Sequence, residues 1–402
     1  MNYYFGDSDY TIHVDDANGN DANDGRSFAN AKKTINSALT ACPDGGVIVI
    51  WPGTYNEQID LLTAGKTITL LGMSRNKTII TQSGGNETIP TTYDGCKLEN
   101  LTVKQTGTGR CIHISGKDSL EFIDCDFICT GDMVIDGSAS YKASFKNCYL
   151  FGEYDTIFMG EELIVDGCIL VTDGTYSGSD DARIIRCASD FTAKILVKDS
   201  ILYAQPSYRK ATGKSPELYE SDRNLYCIYG NTMDELVVLE NSILIADGYK
   251  PTGAHTSSYC SGNAACVGLI DRLVAKNCIF FSRTDENQSA TDAYGLKNCN
   301  AQISNCSIIV SGADASYDFY ADSAQTIYLV NTRYNSSQIG ANVTVNAVPS
   351  GMTFEKAAKS LVNKAIQNKN TGAIDYYDDD GQTILFTHMP IDDESTITRT
   401  PS

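Results

Sequence analysis

Fifty Asp and Glu residues against 31 Lys and Arg give this 402-residue chain a formal charge of −19, so carboxylates are its most abundant reactive groups. Two carboxylates held close together, in environments that separate their acidities, do acid–base and nucleophilic chemistry. A polysaccharide lyase or hydrolase would draw its catalytic groups from this pool. Other chemistries have weaker support. The four histidines, His13, His113, His255 and His388, are scattered without metal-ligand spacing, and no phosphate-cradling glycine loop or activated-serine motif is present. The run Asp15 to Gly25 has the composition of a calcium loop. From Asp16, however, it lacks the Gly at the sixth position and the Glu at the twelfth that an EF-hand loop requires, so it reads as turns without metal. No cofactor is called for. The negative charge argues against nucleic acid and anionic membranes as partners and leaves an uncharged glycan or another protein.

The elements that would position such groups announce themselves through a short tag. It reads Asp124-Cys125, Asn147-Cys148, Gly167-Cys168, Asp199-Ser200, Asn241-Ser242, Asn277-Cys278, Asn305-Cys306 and Asn331-Thr332, each followed by a strand-like run such as Ile169-Leu170-Val171. Successive copies lie 23, 20, 32, 42, 36, 28 and 26 residues apart, and a repeat near the lower values marks a solenoid in which the excess is loop. Stacked coils place the small residue of each tag about 4.8 Å above its predecessor. The fold expected is all-β: a single-stranded right-handed parallel β-helix over residues 46–345, with an N-terminal cap over 1–45 and a small α+β module over 346–402. Five of the 14 cysteines fall on the ladder, where a small apolar side chain suits the interior, so reduced packing thiols are expected. Cys125 and Cys129 cannot bridge on one strand; Cys260 and Cys266 are the local pair whose loop would close.

In the cap, Ile12-His13-Val14 reads as a strand and Asn30 to Cys42 as a helix with Ala31, Ile35, Ala38, Leu39 and Cys42 on its apolar face. Such a helix covers the open end of a solenoid. Long polar insertions at Thr172 to Asp181, Gln205 to Asn224, Asp247 to Asn263 and Ser282 to Thr291 each begin just after a tagged strand. They should therefore leave from one side, carrying Tyr176, Tyr208, Tyr219, Tyr249 and Tyr259 as candidate glycan- or protein-binding residues. Near the C-terminus, Thr353 caps an expected helix to Lys369, and Asp379-Asp380-Gly381 lies between apolar runs as a hairpin turn. So few residues cannot bury both faces alone, which predicts a homo-oligomer. No stretch is long and apolar enough to span a bilayer, and the first residues have neither the basic region nor the apolar core of a signal peptide. Synthesis and folding in a cytoplasm are expected.

The stretch Gly109 to Val171 resembles the middle of a pectinesterase, a carbohydrate esterase built on the pectin-lyase-like β-helix. Arg110-Cys111-Ile112-His113-Ile114 stands at that family's first motif. Gly131-Asp132-Met133-Val134-Ile135 stands at its second, and Gly152-Glu153-Tyr154-Asp155-Thr156-Ile157-Phe158-Met159-Gly160 at its third. The resemblance implies Asp132 as the acid that protonates leaving methanol and Asp155 as the nucleophile, on one face of adjacent coils. The departures fall on the supporting groups: Arg110 and Gly131 occupy glutamine positions, and Tyr229-Gly230-Asn231-Thr232 replaces the Arg-Pro-Trp segment. Arg223, a few residues upstream, is the candidate substitute for the missing guanidinium. The tail from Asp378 to Ser402 is similar to those of tailed-phage virion proteins. Together these readings predict a virion fibre, spike or head decoration that contacts other virion proteins and a host or environmental glycan. A carbohydrate-active enzyme and a bacterial surface adhesin are the alternatives.

Overall fold

Three long sheets, every pairing in them parallel, wrap one continuous core. The first has 13 strands from Thr11–Val14 to Val343–Val348, the second ten from Gly53–Asn56 to Ser307–Ser311, and the third eight from Ile112–Ile114 to Ala315–Tyr320. The expected right-handed parallel β-helix is thus the fold observed. The structure, a computed structural model, describes residues 9–348 except 115–118, 138–140, 154, 173–180, 188–192, 206–223, 231–234, 249–262, 285–291 and 313–314. Beyond 348 it describes the strands at 365–367, 374–377, 384–392 and 397–401. Among the described residues no helix is long and apolar enough to cross a membrane.

One coil runs from Ser119–Ile123 on the first face to Asp126–Cys129 on the second and Ile135–Gly137 on the third, then returns to the first at Lys142–Lys146. The tag is the corner between first and second faces. Its leading residue adopts a left-handed backbone in every copy, with φ of 52° at Asp124, 53° at Asn147, 64° at Gly167, 49° at Asp199 and Asn241, 55° at Asn277, 52° at Asn305 and 45° at Asn331. Gly, Asn and Asp are the residues that reach this region at least cost. The next residue points inward and closes two hydrogen bonds. Ser200 donates its hydroxyl to the Lys198 carbonyl at 2.6 Å and accepts the Cys168 N–H at 3.0 Å. Cys168 does the same with Asp166 at 3.3 Å and the Cys148 N–H at 3.3 Å, so the thiols stack as expected. Thirteen of the cysteines are described, and all are buried thiols; Cys260 lies outside the described residues.

Two boundaries differ from the sequence reading. The capping helix is Ile35–Ala41, shorter than Asn30 to Cys42, because Lys32 is extended and bonded to the first strand through His13 O at 2.9 Å and Asp15 N at 2.9 Å. Thr34 caps it by accepting the Ser37 N–H at 3.2 Å, and the five residues of its expected apolar face are buried. At the other end, the stretch expected to finish a helix at Lys369 contains a strand, Ala365–Gln367, paired antiparallel with Ile374–Tyr376. Three residues of helical spacing fit a strand as readily when a partner supplies their backbone bonds. The rest of that helix falls outside the described residues. The hairpin is present: Ile374–Tyr377 pairs antiparallel with Ile384–Asp392 in a four-stranded sheet.

The ladder yields a direct test. Cys168→Ser keeps both a donor and an acceptor, so its stability should change by less than about 1 kcal/mol. Cys168→Val leaves the buried Cys148 N–H without its acceptor and should lose roughly 1–3 kcal/mol. Denaturant unfolding of the two variants decides; equal losses would remove the hydrogen-bonding role of the ladder.

A second test concerns the last coil. Asp318 is buried, its Oδ2 accepts the Asn335 N–H, and its Oδ1 has no hydrogen-bond partner. Burial pushes its pKa up to about 6 against a usual 3.8. A raised carboxylate contributes stability that is complete below pH 3.8 and lost as pH rises through about 6. Asp318→Asn should accordingly raise stability at pH 7 by roughly 1–3 kcal/mol and have much less effect at pH 4. Thermal melts at the two pH values measure the difference.

Candidate active site

Asp132 and Asp155 each precede a strand of the third face. The register Ile135↔Ile157 makes those strands neighbours, and the Ile135 N–H bonds to the Thr156 carbonyl at 3.1 Å. The two residues thus precede neighbouring strands, Asp132 three residues before Ile135 and Asp155 two before Ile157. Asp132 accepts from Arg110 Nε at 3.2 Å, and Arg110 also meets Asp136 at 2.7 Å and Glu87 at 3.7 Å. Desolvation by burial raises the pKa of Asp132 above the usual carboxylate value, with Arg110 pulling the other way. That direction favours the protonated form a general acid requires.

Asp155 is wholly buried at 0 % exposure. Its Oδ2 lies 3.2 Å from Arg186 Nη1 and 3.5 Å from Arg183 Nη1, and Arg183 reaches Asp181 at 3.4 Å. Both arginines belong to Ala182–Cys187, the next strand of the third face, where Ile157↔Ile185 sets the register. Ring faces hold them in place: Arg186 lies 5.0 Å over Phe158 and Arg183 4.9 Å over Tyr229. The guanidinium partner of Asp155 thus comes from one coil above. Arg223 lies outside the described residues. The signal in the sequence is the pair of arginines in Ala182–Cys187, one coil on from Asp155, and both guanidiniums reach its Oδ2. The insertion at 173–180 disguised their one-coil separation from Asp155.

The four insertions leave from the second-face strands Ile169–Thr172, Ile201–Ala204, Ile243–Gly248 and Ile279–Thr284. They rejoin at the third-face strands Ala182–Cys187, Leu225–Tyr229, Ala264–Gly268 and Asp292–Lys297. Each set is contiguous within its sheet, so the roots stand side by side along one edge beside the carboxylates. A polar ladder fastens the returning ends. Asp181 Oδ1 accepts the Asn224 N–H at 3.2 Å, Asn224 Oδ1 that of Asn263 at 2.9 Å, and Asn263 Oδ1 that of Asp292 at 2.8 Å. Tyr176, Tyr208, Tyr219, Tyr249 and Tyr259 lie outside the described residues.

No protein-family model matches the chain. Curated relatives include a carrot pectinesterase, 29% identical over 154 residues, and pectinesterase 1 of Citrus sinensis, 28% identical over 243 residues. These matches cover 34% and 56% of this chain and 47% and 40% of those proteins. A probable pectinesterase of Arabidopsis thaliana is 29% identical over 147 residues, 31% of this chain and 40% of that protein. The chain therefore spans less than half the length of these relatives. Among solved structures, carrot pectin methylesterase aligns with 87% of this chain and 90% of its own at 15% identity and a TM-score of 0.42. ORF18 of Geobacillus virus E2 aligns over 89% and 68% at 12% identity and 0.38. The sheets establish a right-handed parallel β-helix, and part of the chain is similar in sequence to these pectinesterases.

The ion pairing at Asp155 predicts a structural dependence. Asp155→Asn, which leaves Arg183 and Arg186 without their shared anion, should lower stability by roughly 3–5 kcal/mol. Asp155→Asn combined with Arg186→Met should recover part of that loss. A double variant as unstable as the sum of the two single variants would show that the pair does not couple.

Proposed function

We propose that this chain is a glycan-recognising structural protein, a fibre, spike or head decoration of a tailed-phage virion, whose carboxylate centre is a structural ion-pair cluster and not a working esterase. The observation that carries the non-hydrolytic part is the engagement of both carboxylates. Asp155 has no solvent exposure and is bonded to two guanidinium groups, while Asp132 is bonded to Arg110. A carboxylate nucleophile must present a lone pair to the ester carbon, and a shielded one cannot. Arg110 and Gly131 stand where the resemblance places glutamines, and Arg110 is occupied by Asp132, Asp136 and Glu87. Loss of one oxyanion donor slows acyl transfer by about a hundredfold to a thousandfold.

Recognition then falls to the insertions, whose roots are aligned along one edge of the sheets. The virion assignment draws on the tail resemblance, with other virion proteins and a host or environmental glycan as partners and a homo-oligomer as the assembled form. A carbohydrate esterase is the second reading, favoured by the names of the relatives, by the raised pKa of Asp132 and by the arginines paired with Asp155.

Methanol release from methyl-esterified pectin separates the two readings. The purified chain should release none above the buffer rate. Release that is present in the parent chain and abolished in both Asp132→Asn and Asp155→Asn would overturn the proposal in favour of the esterase. For the assembly half, mass spectrometry of purified particles of a phage encoding the chain should find it among the virion proteins. Its absence from particles whose lysate contains it would refute that half.

A further inference from the structure

The outward surfaces of the first two faces differ in how charge is distributed. On the first, two charged columns, one of Lys146, Asp166, Lys198, Glu240 and Lys276 and one of Lys142, Glu162, Lys194 and Arg272, flank a single uncharged one, Ser144, Ile164, Leu196, Val238 and Val274. On the second, one outward column is Tyr149, Ile169, Ile201, Ile243 and Ile279. A second outward column, from Ile128 through Val171, Tyr203 and Phe281 to Ile309, is also without charge. These side chains face water: Ile169 is 45%, Ile201 36%, Ile279 41% and Ile309 46% exposed. Charges return only at the margins and are already paired there, Asp126 with Arg75 at 2.5 Å and Asp247 with Arg283 at 2.5 Å.

We propose that this second face is the contact surface for a second copy of the chain, two such faces packing sheet on sheet about a two-fold axis near Ile201. Three observations single out that occupant. Coils rising about 4.8 Å apart make the face a comb of fixed period, and another copy presents the same period with ridges that fit its grooves. The chain carries a net charge of −19, so two copies repel wherever charged surfaces meet and least where a face carries none. The third is area. Seven strands span about 29 Å and two side-chain columns about 14 Å, giving roughly 400 Å² per copy, within the range of the largest apolar patch on a typical monomer, which is often functional. The pair buries roughly 800 Å², below a stable standard interface, so the association is weak and concentration-dependent. This surface is independent of the carboxylate centre, and its test does not depend on whether that centre hydrolyses esters.

Sedimentation velocity of the full chain over a broad concentration range should show a monomer–dimer equilibrium. Ile201→Glu with Ile279→Glu, which sets like charges against each other across the contact, should abolish the dimer. Val274→Glu, at an equally exposed site on the first face, should leave it intact. Thermal melting of all three confirms folding. Ile201→Cys should form a disulfide-linked dimer under mild oxidation, and Val274→Cys should not. A parent chain that is monomeric throughout, or a dimer that survives the paired glutamates, overturns the proposal.

Discussion

The structure depends on one repeated corner. A residue in the left-handed backbone region turns the chain from the first face to the second, and the small side chain after it donates to the carbonyl two residues back while accepting an N–H from the coil before. Ser200 makes both contacts at 2.6 Å and 3.0 Å. The left-handed residue exposes inward backbone groups that no sheet ladder satisfies, and a buried unpaired amide costs about 1–3 kcal/mol. Cysteine, serine and threonine are the small residues that can donate and accept at once. Their interchange along the ladder follows from that need, with the soft thiol giving longer bonds and better apolar packing.

Because each corner fixes the register of the next coil, a residue's place within its coil decides which surface it shapes. The first face is interleaved with opposite charges, as expected of a sheet that must stay in solvent and uncovered. The second face carries two uncharged columns, bounded by the paired charges Asp126–Arg75 and Asp247–Arg283. The third alternates aromatic and cationic side chains near its carboxylates, Phe158 beneath Arg186 at 5.0 Å and Tyr229 beneath Arg183 at 4.9 Å. A solenoid writes each surface as a column of residues one coil apart, so three functions can be carried without disturbing the common interior.

On the proposed reading of the carboxylate centre, a small change separates a reactive site from a structural one. A guanidinium beside a carboxylate keeps it ionised, which serves a nucleophile and an ion pair equally. Exposure discriminates between them. Asp155 has none, and its partners are themselves braced by ring faces, so charge and position are both fixed. Removing a partner from such a cluster strands a buried charge, a stronger constraint on the sequence than the modest net stability of the intact pair.

Much of this was legible in the amino-acid order. Asn, Asp or Gly followed by Cys, Ser or Thr, repeated before β-branched runs, specifies left-handed corners and a ladder. That pattern alone determined the parallel solenoid, the stacking of Cys148 on Cys168 and the common edge from which the insertions leave. Local chemistry sufficed because each corner is built from neighbours in sequence and repeats at coil spacing. The start of the capping helix was not legible, since Lys32 is held extended by His13 and Asp15, 19 and 17 residues away. Nor was the strand at Ala365–Gln367, whose backbone partner lies in the next strand. The pairing of Asp155 with Arg183 and Arg186 was not legible either, because insertions of unequal length hide which residues become neighbours one coil apart. Only the tertiary structure, which closes the coils and discards the insertions from the count, decides which charges meet and which face is left bare.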